Sequence, residues 1–130
     1  TSGRIAPCLV TAGGGSVNVL TGVVEAYEDS VPILVIAGNE QSRFLALPET
    51  PTIGFQGFNA LAVAKPITKA AMRADNALGA VLTVKGLYKT ALEHRQGPVW
   101  MDLPQDIAAM EYEEMYVLPK PEWKPDATGL

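Results

Sequence analysis

The segment Val31-Pro32-Ile33-Leu34-Val35-Ile36-Ala37-Gly38 (VPILVIAG) decides the fold class. Five consecutive apolar residues, Ile33 to Ala37, follow a proline without any polar alternation. A strand with one wet face would alternate, so this run is expected to be covered on both faces, as in a parallel sheet. It is also far shorter than the roughly 20 apolar residues of a membrane-spanning helix.

The flanks extend the pattern. Upstream, Val19, Leu20, Val23, Val24 and Tyr27 recur at helical spacing from a candidate N-cap at Ser16, with Glu25, Glu28 and Asp29 on the wet side. Ile5 to Thr11 (IAPCLVT) reads as a buried strand, turned into that helix by the small-residue loop Ala12 to Gly15. Downstream, Asn39 to Gly57 holds Pro48, Pro51, Gly54 and Gly57 without a sustained period and reads as a long loop. Phe58 to Ala64 is long enough for two helical turns, and Ile67 to Ala74 is read as a short strand. Ala80 to His94 has helical spacing, closed by Gly97-Pro98, and Val99 to Leu103 (VWMDL) is a last apolar strand. The order β-α-β-(loop)-α-β-α-β implies an α/β fold, a parallel sheet with helices on both faces in three layers. Ligands of such folds sit at the carboxyl ends of the strands, so Ala12 to Gly15 and Asn39 to Gly57 are expected on one functional edge.

The chain has 130 residues, 48% of them hydrophobic and 18% charged, enough for one domain or part of one. Ten basic and fourteen acidic residues give a net charge of −4 with no Lys/Arg cluster, which argues against a nucleic-acid partner. No run suits a membrane partner. The single cysteine, Cys8, excludes an intrachain disulfide and points to a reducing, cytoplasmic setting. Thr1 stands in place of an initiator methionine, so the chain is expected to be a processed or trimmed piece of something longer.

The strongest local feature is Thr11-Ala12-Gly13-Gly14-Gly15-Ser16-Val17-Asn18, between a strand and a helix. Its glycines permit close backbone approach to a ligand. It lacks the last glycine of a dinucleotide fingerprint and the Gly-Lys-Ser/Thr of a P-loop, so nucleotide binding and a ligand-free tight turn both stay open. Phe55-Gln56 stands in the glycine-flanked loop, where such residues alone are more often packing and backbone-capping groups than substrate contacts. His94 and Cys8 read as structural, Asp102 as a backbone cap at a strand end, and Lys65 and Lys69 as solvated lysines.

Together these pieces are more specific. CLVTAGGGSVNVLTGVVEAYEDSVPILVIAG, then GFQGFNALAVAKPITK, then GPVWMDLPQDI, resemble in order and spacing the N-terminal pyrimidine-binding domain of thiamine-diphosphate enzymes of the acetolactate-synthase type. The resemblance covers Ser2 to Ile107. Asp29 to Pro32 match the family's DSVP, Phe55-Gln56 its FQ, Ile67 to Lys69 its ITK, and Gly97 to Asp106 its GPV..D.P.D. Gly14 stands where the family has proline, and Gly57 where it often has glutamate.

The resemblance implies residues 1–107 as a pyrimidine-binding domain lacking its first strand and helix, and residues 108–130 as a linker toward a central domain. It implies thiamine diphosphate and Mg2+ as cofactors and a 2-oxo acid as substrate. In the family the cofactor's thiazolium C2 becomes an ylid, adds to the 2-oxo acid and holds the electrons released with carbon dioxide. Thr11, Gly14 and Asn18 would line the pyrimidine pocket; Gln56 would be the catalytic residue facing the reacting carbon; Phe55 would close the apolar side of the substrate pocket. The family's glutamate that protonates the aminopyrimidine would fall before Thr1, and Glu25, Glu28, Glu40 and Glu49 are all in the wrong register for it. No metal ligand is expected in this chain, since the diphosphate and Mg2+ motif belongs to the family's C-terminal domain. A homodimer or homotetramer is implied, with residues 16–29 a candidate contact. A non-catalytic pairing subunit and a nucleotide-binding α/β domain are the competing readings.

Overall fold

A computed structural model describes residues 5–45, 54 and 56–112. Four parallel strands, β1 (Ala6–Val10), β2 (Ile33–Asn39), β3 (Ala70–Arg73) and β4 (Val99–Pro104), form one sheet in the order β1-β2-β4-β3. The helices are α1 (Gly14–Asn18), α2 (Leu20–Glu28), α3 (Ser42–Leu45), α4 (Ala60–Ala64), α5 (Ala77–Leu92) and α6 (Gln105–Ala108).

The uninterrupted apolar reading of VPILVIAG is explained by the position of β2, between β1 and β4 and covered on both faces. Strand side chains alternate in direction. On one face Leu34, Val99 and Met101 join Leu87 and Ala91 of α5 and Ile107 of α6. On the other, Val35, Ala37 and Trp100 join Val23 of α2 and Ala60 and Ala64 of α4. The sheet is thus sandwiched between helices, as the α/β reading requires.

Several local expectations change. β1 is an edge strand and is not buried: Leu9 is 73% exposed, and only Cys8 and Val10 of the strand pack against the second cluster. The helix after the glycine loop starts at Gly14 and breaks at Val19, giving α1 and α2. Ser16 is therefore inside α1 and does not cap it. It is fully buried, and its hydroxyl donates to the Thr11 carbonyl at 2.9 Å, tying the helix back to the end of β1.

Other polar residues fix the remaining ends. Asn59 caps α4 by accepting from the Ala62 N–H at 3.1 Å, and Asn76 caps α5 by accepting from the Gly79 N–H at 2.8 Å. Lys69, expected to be solvated, donates instead to the carbonyls of Thr90 and Glu93 and closes the carboxyl end of α5, where a cation suits the helix dipole. Residues 108–112 of the expected linker are described, and Ala108 still belongs to α6; the rest of that segment lies outside the described residues.

The packing sets opposite outcomes for two adjacent residues of α5. A Cβ on exposed Gly86 would meet nothing within 4 Å, so Gly86→Ala is expected to raise stability by about 0.5–1 kcal/mol by restricting the unfolded chain. Leu87 is 1% exposed, and Leu87→Ala is expected to cost about 2–5 kcal/mol. Urea unfolding of both variants checks the pair.

Candidate functional site

The parallel register brings the carboxyl ends of β1, β2 and β4 to one rim: Val10 pairs with Ala37, and Ala37 with Asp102. A cleft of about 410 Å³ opens there, lined among others by Thr11, Gly38, Asn39, Glu40, Gln56 and Gln105. Two of the segments expected at the functional edge, the glycine turn and the long loop after β2, therefore meet in one place.

The glycine turn is shaped by contact with Gln56. Gly13 has φ 67°, and a Cβ there would lie 2.6 Å from the Gln56 carbonyl oxygen, too close for any side chain. Close approach of two backbones is the function of glycine at this position. Gly14 differs: nothing lies within 4 Å of its Cβ position, so the space would accept a side chain.

Beneath the rim lies a buried carboxylate. Asp102 is fully buried in β4; its Oδ2 accepts from Arg73 Nε at 2.6 Å and its Oδ1 from Asn39 Nδ2 at 2.8 Å. The backbone cap expected of this side chain is replaced by an ion pair, because Arg73 and Asp102 are register partners on β3 and β4. A buried carboxylate needs such partners, since burying an uncompensated charge costs several kcal/mol. Asn39, itself 5% exposed, passes the connection outward by accepting the Glu40 N–H on its Oδ1 at 2.9 Å. Glu40 Oε1 accepts the Gln56 N–H at 2.9 Å.

A second carboxylate ties α6 to α3. Asp106 accepts the Ser42 N–H at 2.9 Å and also the Ser42 hydroxyl. Those hydrogen bonds, the hydroxyl first, hold the Asp106 carboxyl below its ordinary value of 3.8.

Of the residues singled out in the sequence, Thr11 and Gln56 line the cleft, while Gly14 and Asn18 sit on α1, exposed and outside the lining. Phe55 lies outside the described residues. His94 is exposed with φ 51°, and Cys8 is a partly buried free thiol. Sequence reasoning did not single out Asn39 or Arg73, and it considered Glu40 only to reject it as the catalytic glutamate. Asn39 and Glu40 directly follow the diagnostic apolar run at its carboxyl end, which was the available signal; the Arg73 pairing needed the strand register. Among the described residues no group of three His, Cys, Asp or Glu side chains could hold a metal ion, and no helix is long and apolar enough to cross a membrane.

Comparison with known proteins bears out the resemblance carried by the motifs. Residues 1–63 match the family model described as thiamine pyrophosphate enzyme, N-terminal TPP binding domain. The chain is 30% identical over 120 residues to the acetolactate synthase large subunit of Haemophilus influenzae, covering 92% of this chain and 20% of that protein. It is 31% identical over 133 positions to a probable acetolactate synthase large subunit of Methanocaldococcus jannaschii, covering 98% of this chain and 22% of the relative. It is 33% identical over 133 positions to the glyoxylate carboligase of Escherichia coli O157:H7, covering all of this chain and 21% of the relative. The chain thus spans about a fifth of the length of each of these relatives.

Two outcomes follow from the carboxylates. Arg73→Ala strands the buried Asp102 carboxylate and is expected to cost about 3–5 kcal/mol in chemical unfolding. The Asp106 contribution is sensitive to acid. Because the folded carboxyl titrates below the unfolded value of 3.8, its stabilisation is complete above that value and fades as pH falls through the folded pKa. Between pH 6 and pH 3, Asp106→Asn is expected to lose less stability than the parent, as thermal unfolding at the two pH values would show.

Proposed function

We propose that this chain, whose first 63 residues match the N-terminal TPP binding domain of thiamine pyrophosphate enzymes, supplies the aminopyrimidine-side wall of a thiamine-diphosphate site in an enzyme acting on a 2-oxo acid. The observation that carries the reading is the meeting of Thr11 and Gln56 in a single cleft at the carboxyl rim of a parallel sheet. Similarity to an acetolactate synthase and to a glyoxylate carboligase supports decarboxylation with carbon–carbon bond formation, a lyase or transferase chemistry.

The cleft suits the pyrimidine end of that cofactor. Gly38 brings bare backbone to its wall, and Thr11 brings a hydroxyl that can both donate and accept, which suits a ring carrying nitrogen atoms and an amino group. When bound, thiamine diphosphate supplies the carbanion chemistry by which a 2-oxo acid loses carbon dioxide. The chain's own work is positional. Thr11 and the backbone of the glycine turn hold the ring side, with Gly14 and Asn18 completing the contact from α1. Gln56 orients the substrate at the reacting carbon, and Phe55 closes the apolar side.

The diphosphate and its Mg2+ are assigned to parts of the enzyme other than this chain, in a homodimer or homotetramer whose neighbouring subunit faces the cleft. Residues 1–107 are the pyrimidine-binding domain and residues 108–130 its connection onward. The chain alone is expected to be inactive, and the whole enzyme to be cytoplasmic.

In the complete enzyme, Gln56→Ala is expected to lower kcat on the order of 100-fold while thiamine-diphosphate affinity changes little, because the amide is assigned to substrate orientation. Steady-state kinetics with 2-oxo acids, alongside calorimetric cofactor titration, separates the two quantities. Equal loss of both would remove Gln56 from that role.

A further inference from the structure

We propose that Glu40 is a positioning residue: its carboxylate latches the backbone of Gln56 to the end of β2 and so sets where Gln56 stands in the cleft. The inference rests on the proposed role of Gln56 and adds to it a residue the motifs assign to nothing.

Four observations converge on the latch. Glu40 Oε1 accepts the Gln56 N–H at 2.9 Å. The opposite side of the same residue is seated on the glycine turn, where the Gln56 carbonyl oxygen lies 2.6 Å from the Cβ position of Gly13. Gln56 is therefore held on its N–H side by the end of β2 and on its carbonyl side by the turn after β1. Gly54 has φ 63°, and a Cβ on it would fall 2.6 Å from Glu40 Cδ and 2.7 Å from Oε2, so the Glu40 carboxylate occupies the space a side chain at 54 would need. Finally, the Glu40 backbone is itself fixed, because its N–H donates to Asn39 Oδ1, and Asn39 is bound to the buried Asp102. Rigidity built in the core thus reaches an exposed amide through three hydrogen bonds in series, Asp102 to Asn39, Asn39 to Glu40 and Glu40 to Gln56, and a functional side chain held this way is supported by a second layer of hydrogen bonds.

A carboxylate suits this task because it accepts strongly from a backbone N–H without supplying a competing donor. Glutamine at position 40 retains an acceptor oxygen at the same reach, whereas alanine removes the acceptor. Gly54→Ala attacks the latch from the other side, displacing the carboxylate while leaving Glu40 in place.

The test is hydrogen–deuterium exchange at the Gln56 amide in the complete enzyme, together with kcat. In Glu40→Ala and in Gly54→Ala the Gln56 amide is expected to exchange about 10-fold faster, with exchange in β2 and β4 unchanged. Glu40→Gln is expected to keep most of the protection, and kcat should fall in the order that protection falls, with cofactor affinity held. Unchanged exchange at Gln56 in both Glu40→Ala and Gly54→Ala would overturn the latch, as would equal loss in Glu40→Gln and Glu40→Ala. Should exchange respond while Gln56→Ala leaves kcat intact, the latch stands as a structural contact, but its positioning role and the catalytic assignment of Gln56 both fall.

Discussion

The structure depends on one buried ion pair. Asp102 lies in a strand whose neighbouring side chains are apolar, and its carboxylate is tolerable there only because Arg73 and Asn39 donate to its two oxygens. Those partners come from β3 and β2, on either side of β4. One carboxylate therefore links three of the four strands at their carboxyl ends, where backbone pairing stops and loops begin. A slip of β3 against β4 would part the Arg73 and Asp102 register partners, so the pair also selects the register of the sheet.

What the pair stabilises is the rim. Asn39 is held by the carboxylate and in turn holds the Glu40 N–H, so the first residue after β2 is as well placed as the strand itself. The turn after β1 is fixed independently, through the buried Ser16 hydroxyl on the Thr11 carbonyl. Gln56 stands between the two, its N–H bound by Glu40 and its carbonyl against Gly13. The apolar clusters on the two faces of the sheet carry most of the burial and reach the rim at Val10, Ala37 and Leu103; the segments beyond the strands are tied there by polar contacts that grade from fully buried Asp102 to exposed Gln56.

Much of this was legible in the sequence, for reasons that differ by element. An apolar run such as Ile33 to Ala37 has few ways to be buried, so the central strand and the layer architecture could be read from it directly. The family resemblance rested on several short motifs in fixed order, which single residues could not have supported. Edge position was not legible: Ile5 to Thr11 is as apolar as a buried strand, yet among the described residues β1 has a neighbour on one side only. The role of Asp102 was hidden for a related reason. A carboxylate at a strand end commonly caps backbone, and its pairing with Arg73 depends on a parallel register between segments far apart in the chain. Ser16 looked like an N-cap from composition, but the tight approach of Gly15 to Thr11 starts the helix earlier and turns the hydroxyl inward.

On the proposed function, this rim is one wall of a thiamine-diphosphate site. Hydrogen–deuterium exchange of the complete enzyme with and without thiamine diphosphate and Mg2+ tests it most directly. Cofactor-dependent protection is expected to concentrate at residues 11–15, 38–40 and 56, with β3 and α5 unaffected. Cofactor binding that protects other parts of the enzyme and leaves these three segments exchanging as before would contradict it.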